Sequence, residues 1–230
     1  RLISKGGGIY ERSAKSIPLS AEVRSMLRID ATSATPSDVI RAILRMPVDL
    51  LWNGGIGTYV KASDEPQSAA GDRSNDAVRV DGRDLRAKVV GEGGNLGFTQ
   101  RGRVEYALTG GRINTDFIDN SAGVNTSDVE VNLKILTSAI ESRGALRRAE
   151  RDRLLARLTG EVAKLVLRNN YLQSQALSTL ELQSAARLPE LQSLIRHLER
   201  KGELDRQVEN LPDDEALAAR RKQGLGLTRP

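Results

Sequence analysis

Residues 89–130, VVGEGGNLGFTQRGRVEYALTGGRINTDFIDNSAGVNTSDVE, alternate short apolar runs and helical patterns with clusters of glycine. A largely apolar run over residues 85–90 predicts a short buried strand that stops at a glycine cluster. The spacing of residues 99–108 is helical, with two glycines as its stop, and residues 112–118 predict a further strand. A strand, a helix and a strand in this order predict parallel pairing with a right-handed crossover.

The flanking sequence extends this pattern in both directions. Thr35 and Pro36 predict the start of a helix that runs to about residue 45, and residues 47–52 predict another buried strand. Residues 61–82 are polar and predict a surface loop with at most one short helix. Glycine becomes scarce after Asn125, and the remaining sequence predicts helices over residues 129–142, 147–185, 189–200 and 213–222. The sequence therefore predicts an α/β region followed by an all-helical region.

Composition argues against several classes of protein. The 230 residues contain no cysteine, which excludes disulfides and thiolate metal sites and indicates an intracellular, cytoplasmic protein. No apolar run approaches the roughly 20 residues that span a bilayer, so no membrane association is expected. The net charge is +5, but 35 basic residues are interleaved with 30 acidic ones and aromatic residues make up 3% of the chain. Nucleic-acid binding is therefore not expected. The opening residues Arg1-Leu2-Ile3-Ser4 read as if the chain emerged from a strand and had been cut from a longer protein.

Small and amide-bearing residues follow three successive strands of the predicted sheet. They are Asn53-Gly54-Gly55, Glu92-Gly93-Gly94-Asn95 and residues 119–123. Open parallel sheets bind ligands at the carboxyl ends of their strands. Glycine lets a flat ligand lie against the main chain, and asparagine both donates to and accepts from a ribose hydroxyl or a carboxamide. Each cluster alone is more simply read as a turn, but three at equivalent ends predict one nucleotide-binding crevice on which they converge.

Ser127 opens the pattern Ser-Asp-Val-Glu, which predicts a capping box at the start of the long helix. Its hydroxyl is first of all a structural cap, although a helix N-terminus also attracts a carboxylate and could meet an acidic substrate. The sequence offers no nucleophile beside a base, no paired catalytic carboxylates and no metal constellation. No catalytic residue is therefore assigned within the chain, and no metal is expected.

Three motifs carry a resemblance to a known family, the glutamate dehydrogenases. Residues 87–95, AKVVGEGGN, resemble the strand that ends in the family's EGAN motif, and residues 120–124, NSAGV, resemble its NAGGV motif. Residues 4–10, SKGGGIY, resemble an SKGAIY-like strand and turn. The order and rough spacing of the motifs also fit. The chain is similar above all to the large bacterial NAD-specific members, and the resemblance covers most of its length.

The resemblance implies a fold and a role for each site residue. Residues 1–127 would be part of a Rossmann-like, dinucleotide-binding domain with a partial parallel sheet, and residues 128–230 the start of a helical C-terminal region. Asn95 would contact the nicotinamide ribose of NAD, and Asn120 would lie beside the nicotinamide. The other residues implied at the cofactor are Asn53, Gly54, Glu92, Gly93 and Gly94. Ser127 would meet the side-chain carboxylate of the substrate.

The resemblance also implies what the chain lacks. In the family, the lysines that bind substrate and activate water, the aspartate that shuttles protons and the pyrophosphate turn lie upstream of the stretch that matches Arg1. The parent protein would deaminate L-glutamate oxidatively to 2-oxoglutarate and ammonia, and we expect a homo-oligomer. This chain alone is predicted to be inactive. Two other interpretations remain open, a non-catalytic nucleotide-sensing or regulatory module and a helical interaction scaffold.

Overall fold

The computed structural model describes residues 3–230, so the expectation for Arg1 and Leu2 lies outside the described residues. A first part, residues 3–115, contains the short paired strands, and a second part, residues 116–230, consists of helices joined by turns. The strands are β1 (Ile17–Pro18), β2 (Ser33–Ala34), β3 (Leu50–Asn53), β4 (Val60–Lys61), β5 (Val80–Asp81) and β6 (Val89–Glu92). The α-helices are α1 (Ala21–Leu27), α2 (Pro36–Leu44), α3 (Gln100–Leu108), α4 (Asp116–Asp119), α5 (Ser121–Ser142), α6 (Arg148–Ser184), α7 (Leu188–Lys201) and α8 (Asp214–Lys222). Residues 3–16, which include SKGGGIY, form neither helix nor strand.

Parallel pairing is confirmed at the centre of the first part. β3 and β6 run parallel, with Leu50 opposite Val89 and Asn53 opposite Glu92. β4 and β5 are also parallel, whereas β1 and β2 are antiparallel. The chain is therefore a mixed α/β protein with a few short parallel strands, and 53% of it is helical. Both central strands begin and end later than predicted. They end at the polar residues Asn53 and Glu92, because pairing between their main chains continues that far.

The prediction of a third full strand over residues 112–118 was wrong. Arg112 forms a parallel bridge with Val89, and its carbonyl accepts a hydrogen bond from Val90 N at 2.9 Å. The chain then turns into the four-residue helix α4. Asp116 and Asp119 in α4 accept hydrogen bonds from the main chain of Leu96 and Glu92, which draws this segment over the end of the sheet instead of along it.

The region 61–82 is more ordered than predicted. It contains β5 and two 3₁₀ helices, Gln67–Ala70 and Arg73–Asn75. The fully buried side chain of Arg79 organises it by donating to the carbonyls of Thr58 and Asp72 at 2.8 and 2.5 Å. A buried guanidinium needs several acceptors, and this requirement folds the polar segment around itself.

The core lies between the strands and α3. Thr99, predicted as the first helical residue, instead caps α3 by accepting a hydrogen bond from Gly102 N at 3.0 Å. The Tyr106 hydroxyl donates to the Ala87 carbonyl at 2.7 Å, so the buried ring ties α3 to the approach of β6. The buried cluster comprises Val60, Val80, Leu85, Ala87, Val90, Phe98, Tyr106 and Ile113.

The long helix does not begin at Ser127, so the predicted capping box was wrong. α5 begins at Ser121, and Ser127 lies inside it with an exposed side chain. The earlier start is stabilised from α6, because Asn170 Nδ2 donates to the Ile118 carbonyl at 2.8 Å and to Ser121 Oγ at 2.9 Å. These long-range hydrogen bonds fix the first turn of α5, and a local sequence pattern does not report them.

The remaining helices were predicted closely. α6 and α7 match residues 147–185 and 189–200, and Asp213 caps α8 by accepting from Ala216 N at 2.7 Å. α5 packs along α6, where the buried Arg151 donates to Thr137 Oγ1 at 3.2 Å. No helix within residues 3–230 has both the length and the apolar character needed to cross a membrane.

Candidate functional site

The ends of β3 and β6 lie side by side. Gly93 N donates to the Asn53 carbonyl at 2.8 Å, which continues the strand pairing beyond Glu92. A Cβ atom at Gly94 would lie 2.9 Å from the Gly55 carbonyl oxygen, and one at Gly97 would overlap the Asn53 side-chain amide. Residues 53–55 and 92–97 therefore form one surface, and the close approach of their main chains requires glycine.

The third cluster reaches the same surface from α4 and the start of α5. Asn120 Nδ2 donates to Asn95 Oδ1 at 2.5 Å. One residue earlier, Asp119 Oδ2 accepts from Glu92 N at 3.0 Å. The three clusters thus converge as expected from the sequence, although the third stands at a junction between helices and not at the end of a strand.

The indole of Trp52 explains two of the glycines. A Cβ atom at Gly91 would lie 2.7 Å from Trp52 Cε3, and one at Gly93 would overlap the same ring system. The ring lies against the main chain of β6, while 58% of Trp52 remains exposed. From the sequence, the glycines were expected to leave space for a flat ligand. Above Gly91 and Gly93, the side chain of Trp52 fills that space.

Glu92 is fully buried and paired. Arg103 in α3 donates to both of its carboxylate oxygens, with Nε to Oε1 at 2.7 Å and Nη2 to Oε2 at 2.8 Å. Burial raises the pKa of Glu92, and the hydrogen bonds and positive charge of Arg103 oppose that rise. A buried pair with two parallel hydrogen bonds holds a fixed geometry. The carboxylate of Glu92 therefore fastens β6 to α3, and its predicted role at a cofactor stays a prediction.

Leu96 has a left-handed backbone at φ 59°, which is uncommon outside glycine and asparagine. Its N–H donates to Asp116 Oδ2 at 2.7 Å, and its carbonyl accepts from Thr58 Oγ1 at 2.7 Å. Asp116 is also 3.2 Å from Arg103 Nη2. The Arg103 guanidinium thus supports both ends of residues 92–96 through Glu92 and Asp116. Non-glycine residues in this conformation persist where their surroundings impose it, often at functional sites.

Ser127 stands apart from the two asparagines. It lies seven residues after Asn120 in sequence, within α5, and among the described residues it makes no side-chain hydrogen bond to Asn95 or Asn120. The structure therefore joins seven of the eight residues singled out in the sequence and leaves Ser127 along the neighbouring helix. Its predicted contact with a substrate stays a prediction.

A groove of about 1060 Å³ lies beside this surface, on the face of the sheet that carries Leu50 and Trp52. Its other walls come from residues 112–114, from α6 and from residues 224–229. Asp119 is shared between the groove and the surface of the three clusters. Asn53, Asn95 and Asn120 do not line the groove, so the groove and the predicted nucleotide surface are adjacent but separate.

The sequence did not predict that Arg103, Asp116 and Asp119 support residues 92–96. Arg103 was one of 35 basic residues, and a charged residue in a short helix is usually solvated. A local signal existed in its position three residues before Tyr106, which places both on one face of α3. That face is buried, with Arg103 4% and Tyr106 1% exposed.

Parallel strands whose carboxyl ends carry glycine and asparagine place the chain among mixed α/β proteins, which commonly bind ligands at such ends. The family model for the catalytic domain of bacterial NAD-glutamate dehydrogenase matches residues 1–180. The chain belongs to the bacterial NAD-glutamate dehydrogenase family.

Three relatives, each named NAD-specific glutamate dehydrogenase, align with the whole chain. The proteins of Pseudomonas aeruginosa and Halomonas elongata are 54% and 52% identical to it over 229 residues. The Mycobacterium tuberculosis protein is 51% identical over 235 residues. The chain spans 14% of the length of each relative.

Proposed function

We propose that this chain is the part of an NAD-dependent glutamate dehydrogenase that positions the nicotinamide. The observation that carries the proposal is the hydrogen bond between Asn95 and Asn120, beside the paired ends of β3 and β6. The family membership and the names of the relatives support the same cofactor and reaction. In this proposal residues 1–127 belong to a Rossmann-like, dinucleotide-binding domain and residues 128–230 to a helical C-terminal region.

The amide pair has the chemistry to hold a nicotinamide nucleotide. Because Asn120 Nδ2 donates to Asn95 Oδ1, the amide nitrogen of Asn95 and the amide oxygen of Asn120 are left as a donor and an acceptor. A carboxamide or a pair of ribose hydroxyls needs that combination. Asn95 would bind the ribose and Asn120 the nicotinamide, with Asn53, Gly54, Gly93 and Gly94 forming the adjacent wall. The buried pair of Glu92 and Arg103 would keep this wall rigid.

The proposed reaction of the parent protein is the reversible oxidative deamination of L-glutamate to 2-oxoglutarate and ammonia. When bound, the nicotinamide supplies the hydride chemistry. The contribution of this chain is orientation, a term that lowers barriers without covalent chemistry. Ser127 would meet the side-chain carboxylate of the substrate from α5. Acid and base groups would come from other parts of the protein, so the 230 residues alone should form no NADH from glutamate and NAD.

The test is Asn95→Ala in the full-length protein, with Asn132→Ala as a control. Asn132 is exposed in α5, and its amide donates to the Asp128 carbonyl. Loss of one or two hydrogen bonds to the bound nucleotide should raise the KM for NAD about tenfold at Asn95. The control should leave it unchanged. Equal kinetics for both variants would refute the proposed site.

The same variants separate the two other interpretations. A nucleotide-sensing module would lose regulation in Asn95→Ala while any turnover stayed intact. A helical scaffold would bind its partner unchanged, and NADH fluorescence would show no saturable binding that depends on Asn95 or Asn120. The exposed apolar residues of α5 and α6 favour assembly, and we propose that the parent is a cytoplasmic homo-oligomer in which some of them are covered.

A further inference from the structure

Residues 224–230 follow α8 and return to the α/β part of the molecule. Arg220 Nε donates to the Gly226 carbonyl at 2.7 Å, and Ser184 Oγ lies 3.4 Å from the Leu227 carbonyl, to which it donates. A Cβ atom at Gly226 would lie 2.5 Å from Ala185 N. This terminal segment is therefore packed closely against the end of α6, and it leads directly to Arg229.

Arg229 joins the two parts of the molecule. Its Nε donates to Asn114 Oδ1 at 2.5 Å, on the segment that follows the bridge at Arg112. Its other nitrogens donate to α6, to Ser178 Oγ at 2.9 Å and to the Ser174 carbonyl at 3.1 Å. Glu181 Oε2 lies 3.2 Å from Nη1. With four acceptors and 17% of its side chain exposed, the guanidinium is held in one orientation.

A chain of hydrogen bonds runs from Arg229 through Asn114 and Asp119 to the main chain of Glu92, close in sequence to the two asparagines. Asn114 accepts from Arg229 and donates through Nδ2 to Asp119 Oδ1 at 2.6 Å. Asp119 then accepts from Glu92 N at 3.0 Å through its other oxygen. Asn120 follows Asp119 directly, and Asn95 lies three residues after Glu92. Each link joins groups with complementary donors and acceptors, so the orientation of one amide fixes that of the next.

We propose that Arg229 is a positioning residue that couples the helical region to the nicotinamide surface. It fixes the amide of Asn114, which in turn holds Asp119 against the main chain of β6. The inference rests on the proposed function and extends it to a residue outside the stretch that matches the family's catalytic domain. Without Arg229, Asn114 is held through its hydrogen bond to Asp119 alone, so Asp119 is held less firmly and the spacing of Asn95 and Asn120 loosens.

The experiment compares Arg229→Gln, Arg229→Lys and the control Arg221→Gln in the full-length protein. Arg221 is an exposed arginine of α8, so Arg221→Gln removes the same charge as Arg229→Gln at a site away from Asn114. We expect Arg229→Gln to raise both the KM for NAD and the Kd for NADH about three- to tenfold, the usual range for changes along such networks. The kcat should stay within about twofold. Lysine keeps the charge but not the planar fork, so Arg229→Lys should fold normally and still weaken NADH binding.

A double-mutant cycle with Asn114→Ala separates coupling from a merely structural role. If Arg229 acts through Asn114, the combined variant should bind NADH about as well as Asn114→Ala alone. Additive losses, or a lower melting temperature with unchanged NADH affinity in both Arg229 variants, would overturn the proposal. If Asn95→Ala weakens NADH binding while the Arg229 variants do not, this inference fails alone. If neither Asn95→Ala nor Asn120→Ala changes NADH affinity, the proposed function fails with it.

Discussion

The surface around residues 92–97 covers buried charged side chains, whereas the helix α6 exposes apolar ones. Beneath the surface, charged groups are enclosed and paired, with Glu92 0% and Arg103 4% exposed. Along the 37 residues of α6, the leucines at 165, 167, 172, 180 and 182 are all exposed. Fixed polar geometry requires removal from water and complete pairing. Exposed leucines at such density fit the proposed assembly, in which other protein would cover them.

Stability comes from different sources in the two parts of the chain. The first part has its own core, which extends from Val60 to Ile113. In α6 the buried residues are Arg151, Val162, Val166 and Ser184. We therefore expect substitutions beneath the 92–97 surface to cost stability within this chain. Substitutions of the exposed leucines in α6 that keep its helix propensity should act chiefly on assembly.

The largest effect should come from Arg103→Met. Removing the guanidinium leaves the Glu92 carboxylate buried without a partner, which costs about 3–5 kcal/mol. Hydrogen exchange of the α3 and β6 amides in the full-length protein measures the local free energy of opening. The control is Arg101→Met in the same helix, because Arg101 pairs with Asp64 at the surface and should contribute less than about 1 kcal/mol. Similar protection in both variants would remove the distinction between buried and exposed charge.

Gly91→Ala should have the next largest effect. The added methyl group would meet the Trp52 ring at 2.7 Å, and overpacking of this kind costs about 1–3 kcal/mol. Gly55→Ala is a matched control, since a Cβ atom there has no neighbour within 4 Å. Combining Gly91→Ala with Trp52→Leu should restore most of the lost protection in β6. If it does not, Trp52 is not the reason for glycine at this position.

Leu96→Gly and Leu167→Gly should change stability in opposite directions. The two leucines are 66% and 65% exposed, so burial does not distinguish them. Leu96 is left-handed, and relief of that conformation outweighs the flexibility of glycine by up to about 1 kcal/mol. Leu167 lies inside α6, where glycine should cost about 1 kcal/mol. Thermal unfolding measures both changes, and a loss at Leu96 would show that its side chain stabilises the loop.

The smallest effect should be on the pH dependence of stability, and it should be similar in both parts. Hydrogen bonds from Ser74, Asn75 and Thr58 lower the pKa of Asp72 well below its ordinary value of 3.8. Arg196, Gln192 and Arg206 do the same for the pKa of Asp214 in α8. The folded state thus binds these protons more weakly than the unfolded state. The stabilisation that the ionised Asp72 and Asp214 contribute is present above about pH 4 and is lost as the pH falls further.

Unfolding midpoints of the wild type, Asp72→Asn and Asp214→Asn, recorded from pH 7 to pH 3, test this expectation. Each variant should lose part of the decline that the wild type shows below about pH 4. Unchanged slopes in both variants would mean that other carboxylates account for the acid sensitivity.

Patterns with a local cause were read correctly from the sequence. The helices α2, α3, α6, α7 and α8 follow from capping residues and apolar spacing, and the parallel pairing of β3 with β6 follows from the order of the elements. The grouping of Asn53 with Asn95 also followed, because the carboxyl ends of parallel strands meet at one edge, whereas Asn120 reaches them from a junction between helices. These inferences needed neighbours in sequence or a general rule of topology.

Errors arose where distant groups decide the local conformation. The strand expected over residues 112–118 became α4 because Asp116 and Asp119 bind the main chain of residues 92–96. The start of α5 moved to Ser121 because Asn170, far along the chain, holds its first turn. Neither partner can be recognised from the residues around the affected segment.

Most of the element order, the family and the glycine and asparagine residues at the ends of β3 and β6 could be inferred from the residues alone. The tertiary structure was needed to show which of those glycines make room for the Trp52 ring. The tertiary structure alone shows that Arg103 lies beneath residues 92–96 and that Arg229 contacts Asn114. The physical reason is that glycine and charged residues take their roles from whatever lies across the fold, whereas caps and apolar periodicity act within a few residues.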